Sequence, residues 1–186
     1  MDFERGTDQV LERVDAARAA EATDDTFEAL YRQRYRDVYR YVLLMLRGTE
    51  DAEDVTGEVF QRAYAAWGSG RGPTGQPLPW LLLIARRLVI DKTRRRRLVA
   101  WIPLGVLSPA HEPHDVDDTG RTEFWIWFGR FARELPERQR EALILRYQRD
   151  LDDETIGEIL GISTSGVRSL VARACATLRR NPEIWL

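Results

Sequence analysis

Residues 152–180 constrain the fold of this chain most strongly, because their pattern predicts two short helices joined by a tight turn. Apolar residues at helical spacing follow Asp152 and Asp153, either of which can cap the first helix. Gly161 stands where the end of a helix needs a left-handed residue, and Ser163 can cap the second helix almost at once. A turn this short between two helices is typical of a helix-turn-helix.

The second helix of this segment is basic, since no acidic residue lies between Thr164 and Arg180. Docking into the major groove of DNA requires hydroxyl and guanidinium groups at base edges, with further guanidinium groups at phosphates. The alternative is a helical hairpin in an all-α core whose arginines are only solvated, but the turn and the one-sided charge together favour DNA binding. The candidate duplex-contacting residues are Thr164, Ser165, Arg168, Ser169 and Arg173.

Charge is unevenly distributed along the chain, although the formal net charge of its 186 residues is only -2. Residues 86–97 hold seven basic side chains and one Asp, whereas residues 50–58 are acidic. Such segregation indicates two partners, a polyanion at one surface and a basic or polar protein at another.

The remaining composition bounds the class of protein. The single Cys cannot form an internal disulfide, which favours a reducing compartment. The first residues lack the apolar core of a signal peptide, and the longest apolar run is too short to span a bilayer. We therefore expect a soluble, cytoplasmic protein. No grouping of Ser, Cys or His, phosphate-cradling loop or carboxylate pair suits catalysis, so an enzyme is not expected.

Helical spacing of apolar residues also organises the first half of the chain. We expect a loosely attached helix near the N-terminus, a long amphipathic helix over residues 26–46 and another over residues 51–67. The helix over residues 51–67 carries an acidic outer face. Composition alone favours a solvated surface there, and the alternative is a docking face for a protein rich in Arg and Lys.

Residues 68–79 are rich in glycine and proline and predict a loop, either a plain connector or one that closes around an extruded base. Pro79 suits a helix start, and the helix that follows finishes in the arginine run. An arginine tract beside a Trp-bearing helix and a flexible loop indicates binding to single-stranded or melted DNA. The buried stripe of this helix is expected at Trp80, Leu83, Ile84, Leu88 and Val89.

Residues 98–120 interrupt the helical pattern with three prolines and an acidic cluster, which predicts a linker. His111, His114 and Asp115 have no further His or Cys nearby, so a metal site is not expected there. Helices are expected again over residues 122–134 and 137–147.

These elements predict an all-α protein of two small helical domains joined by a linker, the second being a helix-turn-helix domain. The expected divisions are an N-terminal extension over residues 1–25, a first domain over 26–97, the linker over 98–120 and a second domain over 121–186.

Three segments resemble, in order and spacing, the sigma-70 family of sigma factors, in the small extracytoplasmic-function (ECF) group that keeps only regions 2 and 4. They are DAEDVTGEVFQRAY (residues 51–64), PWLLLIARRLVIDKTRRRR (79–97) and LPERQREALILRY with the helix-turn-helix after it (135–180). The resemblance implies a factor that binds core RNA polymerase, recognises the -10 and -35 promoter elements and promotes DNA melting.

The resemblance also implies roles for particular residues. The polymerase-binding residues, placed against the clamp helices of the largest subunit, are Asp51, Asp54, Glu58 and Gln61. The residues implied at the -10 element, where a base is flipped out, are Arg71, Trp80, Arg86, Arg87, Lys92, Arg94 and Arg95. The basic helix near the C-terminus corresponds to the part of the family that reads the -35 element as duplex. The polymerase flap and an inhibitory anti-sigma factor are further implied partners, and no cofactor is implied.

Two other functions agree with parts of the sequence. A stand-alone helix-turn-helix regulator binds duplex DNA without polymerase, but it leaves the acidic helix and the glycine-rich loop unexplained. An adaptor that mimics a sigma factor sequesters a regulator and has no promoter activity. One departure from the family is Gly57, which stands where the family usually has Gln.

Overall fold

The structure is a computed structural model that describes residues 26–46, 48–99, 135–149 and 151–180. These residues form six helices and no strand, which confirms the predicted all-α class for this part of the chain. The helices are α1 (residues 26–46), α2 (Thr49–Gly68), α3 (Pro77–Val99), α4 (Glu137–Arg149), α5 (Asp153–Leu160) and α6 (Thr164–Arg179).

Some predictions lie outside the described residues, namely the N-terminal helix, the helix over 122–134 and most of the linker. α3 extends to Val99, so its last turn enters the segment predicted as linker. The same helix begins at Pro77 rather than at Pro79. Both prolines fit its first turn, where a backbone N–H has no partner within the helix.

Helices α1, α2 and α3 form the first unit and pack through apolar stripes at the helical period. Tyr31 and Tyr64, which the sequence pattern places among the buried residues, are instead 41% and 48% exposed. Their rings pack edge-on against Phe60 and Phe27 respectively, so they cover the rim of the core. The buried stripe of α2 does contain the predicted Ala52, Val55, Val59, Phe60 and Ala63.

The buried face of α3 differs from the predicted one. Trp80, Leu83 and Ile84 are only half-buried. α3 contacts α2 and also α5 of the second unit, which consists of α4, α5 and α6, so helices of both units cover its residues. A pattern that assumes one buried stripe cannot place both contacts. The buried residues of α3 include Leu81, Leu82, Ala85, Leu88 and Val89.

Helices α5 and α6 form the predicted helix-turn-helix, and its local signals are confirmed. Asp152 Oδ1 accepts a 2.8 Å hydrogen bond from Thr155 N, which lowers the pKa of that carboxyl below its ordinary value. Ser163 Oγ accepts a 3.2 Å hydrogen bond from Gly166 N at the start of α6. Gly161 between them has a φ of 66°, in the left-handed region.

The two units pack against each other. Their buried apolar residues belong to one continuous cluster, and α3 contacts α5 across the boundary. Tyr41 of α1, which the sequence pattern does not place in the core, is completely buried and donates a 2.7 Å hydrogen bond to Glu141 Oε1 of α4. The second unit therefore covers part of the first.

Replacing two helical glycines by Ala is expected to change the free energy of unfolding in opposite directions. We expect Gly57→Ala to raise the free energy of unfolding by about 0.5 to 1 kcal/mol, because Gly is a poor helix former and the added Cβ meets nothing within 4 Å. We expect Gly157→Ala to lower it, because a Cβ there lies 2.7 Å from the backbone oxygen of Ile162. Thermal unfolding followed by circular dichroism measures both variants.

The two variants are controls for each other, since each adds one methyl group to a helix. A fall in melting temperature for Gly57→Ala would contradict the open environment at that position. An unchanged melting temperature for Gly157→Ala would contradict the close approach of α5 to the turn.

Candidate functional site

The outer face of α2 presents acidic side chains to solvent. Asp54 and Glu58 have 67% and 47% of their side-chain surface exposed, and Gln61 is exposed on the same helix. Glu58 Oε1 lies 2.6 Å from Arg62 Nη2 one turn away. Such an exposed pair within a helix adds little stability, so Glu58 can exchange Arg62 for a partner. Glu53, which sequence reasoning missed, is also exposed on α2.

Asp51 lies apart from this exposed face, since only 15% of its side chain is accessible. Its Oδ1 lies 2.8 Å from Lys92 Nζ, and its Oδ2 forms an ion pair with Arg96. Lys92 Nζ also lies 3.7 Å from Asp54 Oδ2. A predicted polymerase contact and a predicted -10 contact therefore pair with each other, and the pair joins α2 to α3.

Exposed basic side chains lie in the loop after α2 and along α3. Arg71 Nε donates a 3.0 Å hydrogen bond to Ser69 Oγ, and Gly70 with a φ of 69° turns the backbone between them. Trp80 is half-buried against the core, so only part of its ring is available to a base. The exposed residues among those predicted at the -10 element are Arg71, Arg87, Arg94 and Arg95.

Arg86 does not belong to this exposed group. Only 18% of its side chain is accessible, and its Nε lies 3.0 Å from Glu141 Oε1 in the second unit. Burial raises the pKa of Glu141 above its ordinary value, against the opposing effects of the Tyr41 hydrogen bond and the Arg86 charge. Burial and the Glu141 charge raise the pKa of Tyr41, which keeps the proton that it donates.

The face of α6 that was predicted to contact duplex DNA is open. Thr164, Ser165, Arg168, Ser169 and Arg173 are all exposed. The opposite face is anchored by the buried Val167 and Ala174. Arg173 Nε donates a 3.2 Å hydrogen bond to the backbone oxygen of Ser169, which holds its guanidinium along the helix.

Arg168 is oriented by a carboxylate of the neighbouring helix. Its Nε donates a 2.7 Å hydrogen bond to Asp153 Oδ2 in the first turn of α5, while 72% of its side chain stays exposed. Arg146 of α4 pairs with the other oxygen of Asp153. This carboxylate therefore connects all three helices of the second unit.

Sequence reasoning missed three residues that organise these contacts. Arg96 lies four positions after Lys92, and helical spacing is the signal that places both cations on one face. Tyr41 and Glu141 are 100 positions apart, and no local pattern connects them.

In the part of the chain that the structure describes, no group of three or more His, Cys, Asp or Glu side chains is arranged to hold a metal ion. His111, His114 and Asp115 lie outside that part. None of the described helices combines the length and the apolar character needed to cross a membrane.

Comparisons with known proteins agree with this arrangement. Residues 30–99 match sigma-70 region 2, and residues 133–180 match sigma-70 region 4. The chain is 30% identical over 154 residues to the ECF RNA polymerase sigma factor SigM of Mycobacterium tuberculosis H37Rv, covering 83% of this chain and 76% of the relative. It is 29% identical over 154 residues to SigM of Bacillus subtilis, covering 83% of this chain and 93% of the relative.

Solved structures share the fold. The sigma factor RpoE of Bartonella quintana, in complex with the anti-sigma factor NepR, has a TM-score of 0.69 at 21% identity, covering 86% of this chain and 96% of that chain. CnrH in complex with the cytosolic domain of CnrY has a TM-score of 0.62 at 20% identity, covering 90% of this chain and 94% of that chain. Two matched regions in the expected order, and the identity to SigM, show that this chain belongs to the sigma-70 family of RNA polymerase sigma factors, in its ECF group.

Proposed function

We propose that the exposed acidic face of α2 binds core RNA polymerase, and that the exposed basic side chains of the loop, α3 and α6 bind promoter DNA. As a sigma factor the chain acts in transcription initiation and is not an enzyme. The observation that carries the assignment is the separation of the exposed charges: carboxylates on α2, guanidinium groups on α3 and α6. The proposal places the protein in the cytoplasm, together with polymerase and promoter.

The polymerase contact is assigned to Asp54, Glu58 and Gln61, because these side chains are open to a partner. Asp51 is assigned a positioning role instead. Its carboxylate is mostly covered and already holds Lys92 and Arg96, so it fixes α3 against α2. The flap of polymerase remains a proposed contact of the second unit.

At the -10 element, Arg71, Arg87, Arg94 and Arg95 are proposed to contact the DNA backbone, since all four are exposed cations. The available edge of Trp80 is proposed to stack against an unpaired base. Lys92 and Arg86 are set apart from this group, because their charges are engaged by Asp51 and by Glu141.

At the -35 element, α6 is proposed to enter the major groove of duplex DNA. Thr164, Ser165 and Ser169 supply hydroxyl groups near its N-terminus, and Arg168 and Arg173 supply guanidinium groups for bases and phosphates. A helix capped by Ser163 and anchored by a buried stripe presents these side chains from a rigid base.

The proposed domain divisions follow the sequence prediction: a region 2-like domain over residues 26–97, a linker over 98–120 and a region 4-like domain over 121–186. An anti-sigma factor is a proposed partner. RpoE and CnrH, which share the fold, are seen in complex with NepR and with the cytosolic domain of CnrY. Trp101 and Trp125 are the aromatic residues that the sequence offers for such a contact, and both lie outside the described residues.

Charge reversal on α2 tests the polymerase contact. We expect the double variant Asp54→Lys, Glu58→Lys to bind core RNA polymerase at least about tenfold more weakly, because both exposed carboxylates would meet the partner with the wrong sign. Glu158→Lys on α5 is the matched control, since Glu158 is also an exposed helical glutamate. A titration of labelled protein with core polymerase measures the affinity, and circular dichroism checks the helical content.

The same experiment distinguishes a sigma factor, which binds core polymerase, from a stand-alone helix-turn-helix regulator, which does not. Unchanged polymerase affinity in the double variant would contradict the assigned face. Specific binding of the wild-type chain to duplex DNA, with no binding to core polymerase, would favour the regulator. Capture of a regulatory protein without promoter activity would favour the adaptor.

Substitution on α6 tests the duplex contact. We expect Arg173→Ala to weaken binding of the holoenzyme to a -35 element and to lower the slope of log affinity against log salt by about 1, the loss of one phosphate contact. Arg32→Ala is the control, since Arg32 is an exposed cation on α1 that pairs with Glu28 one helical turn away. Binding is measured on promoter fragments at several salt concentrations, and an identical slope for both variants would contradict the contact.

A further inference from the structure

The two arginines on the exposed face of α6 are held by different acceptors. Arg168 Nε donates a 2.7 Å hydrogen bond to Asp153 Oδ2, which is a carboxylate oxygen. Arg173 Nε donates a 3.2 Å hydrogen bond to the backbone oxygen of Ser169, which carries no net charge. A carboxylate beside a guanidinium offsets part of its charge and repels a phosphate that approaches the same group. Arg173 is therefore better suited to a DNA phosphate than Arg168 is.

The two arginines also lie at different places along α6. Thr164 is the first residue of this helix, so Arg168 is the fifth and Arg173 the tenth. In helix-turn-helix proteins, the residues near the N-terminus of the second helix contact the edges of bases in the major groove. Position along the helix and the charge of the acceptor thus agree in assigning Arg168 to a base.

The hydrogen bond to Asp153 uses only part of the Arg168 guanidinium. An arginine side chain carries five N–H donors in a planar fork, and this bond uses the one on Nε. The others are on the terminal nitrogens, at the end of a side chain that is 72% exposed. Among the bases, guanine presents two neighbouring acceptors, O6 and N7, in the major groove, and these fit two parallel N–H groups of arginine. Arg168 held in this way has the donors that recognition of guanine requires.

Asp153 is itself fixed by Arg146 of α4. Its Oδ1 pairs with Arg146 Nη2, while Arg146 Nη1 donates a 3.4 Å hydrogen bond to the backbone oxygen of Leu151. Only 20% of the Asp153 side chain is accessible, so this carboxylate is a fixed acceptor in the first turn of α5. A guanidinium held by a fixed acceptor loses less freedom on binding, and its preorganised fork discriminates more strongly between bases.

We propose that Asp153 is a positioning residue for base recognition: through Arg168 it selects one guanine of the -35 element, while Arg173 contacts a phosphate. This role rests on the proposed entry of α6 into the major groove of duplex DNA. Asp153 does not contact the DNA itself. Its negative charge favours a neutral base edge over a phosphate at Arg168, and its hydrogen bond fixes the direction of the guanidinium.

The base preference of the holoenzyme tests this role. Core polymerase carrying the full-length chain is mixed with promoter fragments whose -35 element is randomised, and the bound fragments are sequenced. We expect the wild type to prefer guanine at a position where Arg168→Gln loses at least about fivefold of that preference, because an amide pairs with adenine instead. We expect Asp153→Asn to weaken the preference at the same position by at least about threefold, because a charged acceptor no longer holds the guanidinium.

A combined variant separates positioning from a general structural role. Adding Asp153→Asn to Arg168→Gln should not change the base preference further, because Asp153 acts through Arg168. Base preference is a ratio between fragments, so a smaller folded fraction of the chain lowers binding to all fragments alike. Glu154→Gln is the matched control, since Glu154 is also an acidic residue in the first turn of α5, and it should leave the preference unchanged.

Two results would overturn the role of Asp153. One is an unchanged base preference in Arg168→Gln with weaker binding to every fragment, which would make Arg168 a phosphate contact. The other is an equal effect of Asp153→Asn and Glu154→Gln, which would make net charge the cause. A wild-type holoenzyme without any base preference in the -35 element is a different failure: it would overturn the proposed entry of α6 into the groove, and the role of Asp153 with it.

Discussion

Each helical unit contains an aspartate in the first turn of one helix. This aspartate forms ion pairs with two basic side chains. Free N–H groups and the helix dipole favour a carboxylate at that end, so the aspartate is stabilised by its own helix as well as by its partners. The aspartates are Asp51 of α2, with Lys92 and Arg96, and Asp153 of α5, with Arg146 and Arg168. Both pairings cross from one helix to another, and they therefore set the relative positions of the helices that carry the exposed charges.

This arrangement divides the charged residues into those that organise the fold and those that can meet a partner. Asp51 and Asp54 lie less than one helical turn apart in the sequence, yet the first is mostly covered and the second is mostly exposed. Arg168 has both roles. Its guanidinium is oriented by Asp153 but stays accessible, so less side-chain freedom would be lost in the proposed contact with DNA. Clusters of like charge in the sequence thus overstate the surface that is available for binding.

Local chemistry made the helix-turn-helix predictable. Its signals are the helix caps at Asp152 and Ser163 and the left-handed Gly161. Each cap binds an amide only three residues away, so a short stretch of sequence is enough to recognise it. The buried face of α3 was misplaced because α5, from the other unit, covers part of it. Glu141 was missed for the same reason: a glutamate is assumed to face solvent unless a distant partner is known, and its partner is 100 positions away.

The ionisation of Glu141 makes the contact between the two units depend on pH. Burial raises its pKa above the ordinary value of 4.5, Glu137 acts in the same direction, and the Tyr41 hydrogen bond and the Arg86 charge oppose the shift only in part. A raised pKa means that the folded chain binds this proton more tightly than the unfolded chain does. The added stability is fully present below about 4.5 and is lost as the pH rises through the raised pKa. Once ionised, the buried carboxylate stabilises the contact between the two units less than an apolar contact of the same size would.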